Sequence, residues 1–161
     1  MRLFRRIAAI LAALLVAALC SFASGAVTAS ANPGTNDYPY RTSAPDQVDR
    51  WQFYTRECTS FAAWRLNHDE GIDFYNYYEG VHWGNASNWD NAAAQAHVPH
   101  DKTPTHGGIA VLDTSSGHVA FILDWNKTQL YVEDYNWISF AYDKHWVSRS
   151  LVVTIIHFRE Q

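Results

Sequence analysis

Residues 108–136 read GIAVLDTSSGHVAFILDWNKTQLYVEDYN. The stretch holds three apolar runs, Gly108–Leu112, His118–Asp124 and Gln129–Asn136, parted by Asp113–Gly117 and by Asn126-Lys127-Thr128. Short β-branched runs bounded by Asp, Asn, Ser and Gly are strands joined by turns. A fourth run, Ser150–Phe158 (SLVVTIIHF), has the same character. Upstream the period changes. Phe61, Ala62, Arg65 and Leu66 follow Cys58 at helical spacing, and Thr55 is the expected N-cap of that helix. Trp89, Ala92, Ala93 and Ala96 make an i, i+3, i+4, i+7 stripe, which predicts a second helix over Asn88–Ala96 capped by Ser87 or Asn88. Gly71–Asn88, aromatic and glycine-spaced, reads as loop. Helices followed by a meander of strands predict an α+β fold, with N-terminal helices packed on an antiparallel β-sheet.

Composition narrows the function. A chain of 161 residues is enough for one domain. Hydrophobic residues at 48% and charged residues at 17% make it globular rather than disordered. Aromatics at 15%, with 7 Trp and 9 Tyr, favour a β-rich core or a wide aromatic groove. Lys and Arg number 12 against 16 Asp and Glu, which argues against a nucleic-acid binder and its basic patch. Two cysteines are too few for a disulfide framework or a multi-cysteine zinc site.

The first residues read as an export signal. MRLFRR is basic, and Ile7–Cys20 is an uninterrupted apolar run. That run is shorter than the about 20 residues a bilayer span needs. Ala29-Ser30-Ala31 fits the small-x-small rule, so residues 1–31 are a secretory signal peptide cut after Ala31, with Ala26 and Ala29 as alternatives. Leu19 stands where lipid attachment to Cys20 would need a small residue. Cleavage removes three arginines and no acid, so the remaining chain is more negative still and is not expected to stay at a membrane surface. It also leaves Cys58 as the lone thiol. Residues 32–46 (NPGTNDYPYRTSAPD) read as a flexible lead-in to a single domain over 38–161. Asn85-Ala86-Ser87 and Asn126-Lys127-Thr128 match glycosylation sequons.

A lone cysteine in an exported chain is buried and inert, an intermolecular linker, or a nucleophile. Cys58 opens a predicted helix after the polar Thr55-Arg56-Glu57. A helix N-terminus offers free N–H groups and a positive dipole end, which favour a thiolate and an oxyanion, with Arg56 as an added positive charge. Of 8 histidines, His118 alone opens a long apolar run straight after a Gly turn. Asp134 and Asn136 share one face of a strand, and either is placed to accept from Nδ1–H of His118, while Glu133 faces the other way. Their bland reading is a strand ending at a turn. The set runs nucleophile, base, orienter, which is the papain-like order.

These residues fall in motifs that resemble CHAP domains, the cysteine- and histidine-dependent amidohydrolases/peptidases. Glu57-Cys58-Thr59-Ser60-Phe61-Ala62-Ala63-Trp64-Arg65 resembles the nucleophile motif, and Trp83-Gly84-Asn85-Ala86 with Trp89 the central one. Pro104 with Gly107-Gly108-Ile109-Ala110-Val111, and Gly117-His118-Val119-Ala120, resemble the two strands around the histidine. Val132-Glu133-Asp134-Tyr135-Asn136-Trp137 resembles the acid-x-Asn-aromatic strand, and Ile156-His157-Phe158 the closing one. The likeness spans Tyr38 to Phe158.

The resemblance implies a papain-like half with Cys58 as nucleophile, His118 as base, Asp134 where the family commonly has Glu, and Asn136 as the polar residue after it. Its substrate class is peptidoglycan, cut at the muramoyl–L-alanine amide or within a peptide. The chemistry needs no cofactor and no metal, and Asp46–Trp51 offers too few spaced oxygens for the calcium some members bind. A secreted or wall-localised monomer is expected. Trp64, Trp83 and Trp89 read as packing residues. Tyr75, Tyr77 and Tyr78, with His82 and Trp83, are candidates for a substrate groove, and so is Trp137. Two rival readings use the same residues: a catalytically silent wall-binding module, and a secreted effector acting on another amide.

Overall fold

A computed structural model of the chain describes residues 33–159. The expected signal segment and its cleavage point lie outside the described residues. The apolar runs of the C-terminal half pair into one antiparallel sheet. Its strands are β1 (His100–Asp101), β2 (Ile109–Leu112), β3 (His118–Trp125), β4 (Gln129–Tyr135), β5 (Tyr142–Ser148) and β6 (Val152–Ile156). Their spatial order is β1-β6-β2-β3-β4-β5. The three strands of the 108–136 stretch stand where the sequence puts them. The last run is shorter than expected, because Arg149–Leu151 is a 3₁₀ turn before β6. Strand β5 was not expected. It is a sheet-edge strand whose sequence, YDKHWVS, buries only Val147 and so lacks apolar alternation.

The sheet is apolar on both faces. Ile109, Val111, Val119, Phe121 and Tyr135 join the main core with the helices, whereas Ala110, Leu112, Ala120, Ile122, Leu130 and Val132 join Val147, Val152 and Ile155 in a cluster made by strands alone. Successive residues of a strand point to opposite faces, so β2 is buried throughout.

Helix α1 (Cys58–His68) begins at Cys58, as expected. Cys58 through Leu66 are all buried, so α1 runs inside the domain rather than lying on it with one wet face. Phe61 packs its ring against Tyr135 of β4 at 5.5 Å. Arg65 is fully buried one turn on. Its Nε lies 2.8 Å from Glu133 of β4, and its two amino groups reach Asp69 at 2.9 Å and Asp37 at 3.3 Å. Three carboxylates around one guanidinium offset the cost of taking it out of water. Helix α2 (Trp89–Gln95) follows a 3₁₀ turn at Ala86–Asn88.

Residues 33–46 are not the loose lead-in the composition indicated. Tyr38 is fully buried against Phe61, Trp64 and Tyr135. Gly34 N–H donates to Glu133, and Arg65 donates to Thr35 O. Polar, turn-rich sequence hid this segment, because its anchors are backbone groups, the polar side chains of Asn36 and Asp37, and the ring of Tyr38.

Candidate active site

The local structure around Cys58 follows from how the chain enters α1. Glu57 is the N-cap, extended at φ −96°, ψ 156°, and its side chain makes no capping bond. The first-turn N–H groups therefore have no side-chain cap. Thr55, the expected cap, is spent upstream: its hydroxyl donates to Ala44 O and accepts from Gln47 N–H. Beneath the entry lies a buried polar chain. Asp49 accepts from Trp51 N–H, Phe53 N–H and the Ser60 hydroxyl, Ser60 is bonded to Tyr38, and Tyr38 Oη accepts from Arg56 N–H. Arg56 takes a left-handed turn at φ +64°. Its guanidinium is not beside the thiol, since Nε and Nη2 donate to Phe140 O and Nη1 to Ser43 O.

His118 opens β3, directly after Gly117 at φ +72°. Only glycine fits there. A Cβ at that position would lie 2.6 Å from Ser87 Cα, so the turn sits hard against the 3₁₀ segment before α2. The His118 ring borders the same cleft as Cys58 and faces the buried carboxylate of Asp134. Its Nε2 is 3.1 Å from Asp134 Oδ2. The ring thus faces its carboxylate through Nε2 and not through Nδ1 as expected. Burial alone would pull the His118 pKa down. The hydrogen bonds and charges of Asp134 and Cys58 outweigh it, and the pKa is pushed up to about 10. Asp134 is fully enclosed, and that enclosure raises its pKa although His118 pulls against it.

Cys58 and His118 are only 7% and 6% exposed, yet both line one open cleft of about 640 Å³. Asp46, Tyr54, Glu57, Asn85, Ala86, Thr114–Gly117, Asn136 and Trp137 also line it. Asn136 lines the cleft but is bonded elsewhere. Its amide donates to Glu57 at 2.8 Å, and its carbonyl oxygen accepts from Phe140 N–H. It sits past the end of β4 at φ +66°, which takes it off the Asp134 face. Trp137 is 40% exposed and meets the His118 ring edge-on at 5.3 Å.

The aromatic candidates separate by burial. Trp83 has no exposed surface: it is packed among Phe74, Trp89 and Phe158, so it cannot line a groove. Tyr75 and Tyr77 are exposed on a loop, with Tyr77 stacked on His82, and neither borders the Cys58 cleft. Tyr54, half exposed in the cleft wall, was not singled out from sequence. Nor was His145, which lies on the unexpected strand β5 with Nε2 3.8 Å from Asp134 Oδ2.

A thiol at a helix start and an imidazole at a strand start line one cleft of an α+β domain, and a buried carboxylate on the next strand lies against the imidazole. That is the thiol–imidazole–carboxylate class of site. The chain belongs to the CHAP domain family, whose pattern matches residues 48–136. The membership agrees with the resemblance in the motifs, although the match stops short of the closing strand. Among curated proteins the chain is 43% identical over 59 residues to the N-acetylmuramoyl-L-alanine amidase sle1 of Staphylococcus epidermidis, covering 35% of this chain and 18% of that protein. It is 52% identical over 43 residues to the sle1 amidase of Staphylococcus haemolyticus, covering 26% and 13%. The chain thus spans less than a fifth of the length of these relatives. The crystal structure of an N-acetylmuramoyl-L-alanine amidase from Staphylococcus aureus shares the fold, with a TM-score of 0.53 at 18% identity over 64% of this chain and 30% of the other. Among the described residues, no helix is long and apolar enough to cross a membrane.

Proposed function

We propose that the protein is a secreted cysteine hydrolase of papain-like design that cuts amide bonds of bacterial peptidoglycan. One observation carries the proposal: Cys58 and His118 line the same open cleft, with Asp134 Oδ2 3.1 Å from Nε2 of the His118 ring. An imidazole held between a sulfur and a carboxylate takes the thiol proton and stays in place as an imidazolium. The thiolate of Cys58 attacks the amide carbonyl, forming a C–S bond. The oxyanion faces the uncapped N–H groups at the start of α1. The C–N bond then breaks, and His118 gives its proton to the leaving amine. A water, losing a proton to His118, cleaves the thioester and frees the acid. Asp134 orients the ring, and Trp137 contacts the substrate in the cleft. The substrate class is supported by the family and by the amidase names of the relatives. Residues 1–31 are proposed to direct export, and the domain is proposed to act as a monomer.

The test is hydrolysis of purified cell walls by wild type and Cys58→Ala, with mass spectrometry of the released fragments. New amine and carboxyl termini with the wild type alone are expected, and they identify the scissile bond. Equal release by Cys58→Ala would refute the assignment.

A further inference from the structure

The carboxylate of the site serves two imidazoles. Asp134 Oδ2 is 3.1 Å from His118 Nε2 and 3.8 Å from His145 Nε2. On its other side, His145 Nδ1 is 3.2 Å from Asp143 Oδ2. The strand register explains why a histidine is useful there. Asp134 stands directly opposite Asp143 across β4 and β5. Like charges facing each other on paired strands repel, and Asp134 has no exposed surface through which water could screen the pair. His145 lies two residues after Asp143, hence on the same face, and its ring reaches both acids.

That ring is also confined. Trp137 covers it at 4.7 Å with an interplanar angle of 30°, and the same indole meets His118 edge-on. His145 is not among the residues that line the cleft. The charged and titratable groups around it are Asp134 from β4, Asp143 from its own strand and, beyond Asp134, His118 from β3. Its neighbour Lys144 is turned away and donates to Gly34 O.

We propose that His145 is a positioning residue for this reaction, holding the Asp134 carboxylate in place and ionised for His118 while Asp143 anchors it from behind. The proposal rests on the Cys58–His118 reading above. Each ring nitrogen faces a different carboxylate, Nε2 towards Asp134 and Nδ1 towards Asp143. Without that neighbour, Asp134 keeps the burial and the Asp143 charge that favour its protonated form and loses the His145 ring, whose influence opposes them. A protonated Asp134 gives the imidazolium of His118 no anion. The active pair would then be lost at higher pH on the acid side.

The experiment compares wild type, His145→Ala and His145→Gln for wall hydrolysis and for alkylation of Cys58 by iodoacetamide, each from pH 4.5 to 9. Thermal melts serve as the folding control. For His145→Ala, kcat is expected to fall about tenfold with KM unchanged, as when a supporting partner of an active-site group is removed. Its acid limb is expected to move up by about one pH unit in both assays. His145→Gln keeps an N–H for Asp134 but no charge, so it should recover much of the neutral-pH rate while the limb stays displaced. Folded variants with wild-type rate and an unmoved limb overturn the proposal. So does a loss of rate that follows only a lower melting temperature. Cys58→Ala in the same assay separates the two claims: full activity there refutes the nucleophile, whereas an inactive Cys58→Ala beside unaffected His145 variants refutes only the role of His145.

Discussion

Arg65 Nε and Glu133 Oε1 meet at 2.8 Å with neither side chain exposed, joining the helix that begins with Cys58 to the strand that carries Asp134. Glu133 also accepts from Tyr142 Oη and Gly34 N–H, so one carboxylate ties α1, β4, β5 and residue 34. Removing one partner strands the other charge in the interior. Arg65→Met and Glu133→Gln are each expected to destabilise the fold by about 3–5 kcal/mol. Urea unfolding would measure this, and a change under about 1 kcal/mol would show that the pair is dispensable.

The raised pKa of His118 makes stability depend on pH. The folded ring holds its proton to about pH 10, whereas an unfolded histidine releases it near its ordinary value of 6.5. The stabilisation is full below about 6.5 and lost as pH rises through about 10. Unfolding free energy should therefore fall across that window, and His118→Gln should flatten the slope. A slope identical in the two proteins would place its origin elsewhere.

Asp134→Asn keeps the size of the side chain but removes the charge and one acceptor. The amide offers a donor to a ring nitrogen that needs an acceptor, so the ring is left in the wrong tautomer for the sulfur. A fall in kcat on the order of 10²–10⁴ is expected, by analogy with the same change in serine proteases. Retained activity within about tenfold would mean that the ring is oriented by other contacts.

Gly117→Ala tests the turn before His118. The alanine would need φ +72° and would press on the Ser87 backbone. A loss of about 1–3 kcal/mol is expected from the strained backbone, with a lower kcat as His118 is displaced. A variant as stable and as active as wild type would show that the turn yields without moving the ring.

Two tryptophans should behave oppositely. Trp83→Ala empties a core position and is expected to cost about 3–5 kcal/mol. Trp137→Ala is expected to leave the melt nearly unchanged and to raise KM about fivefold, corresponding to roughly 1 kcal/mol of aromatic contact. Wall-binding and hydrolysis assays beside thermal melts separate the two.

The sequence carried the elements whose reasons are local. The start of α1, the turn at Gly117 and three strands are written in spacing and turn residues. What it hid depends on pairing. Strand β5 buries one residue out of seven, so no periodicity announces it, and His145 was lost with it. The flip of the His118 ring onto Nε2 is set by where β3 and β4 lie relative to α1, which no single segment records. Trp83 and Trp137 are alike as letters. One faces Phe74 and the other the cleft, and only tertiary packing decides which. Asn136 stands two residues after Asp134, but its left-handed backbone breaks the alternation that would have aimed both at one histidine.

Asn136 and Arg56 stitch the two ends of the site together. The amide of Asn136 donates to Glu57, 79 positions away, and the guanidinium of Arg56 donates to Phe140 O, 84 positions away. The residues just ahead of the sulfur are thereby fastened to the bend just beyond the carboxylate. An inhibitor need not wait for this cleft to form around it. A stiff electrophilic mimic of the scissile bond, cut to the resting shape, should gain by its rigidity what a floppy one would lose on docking.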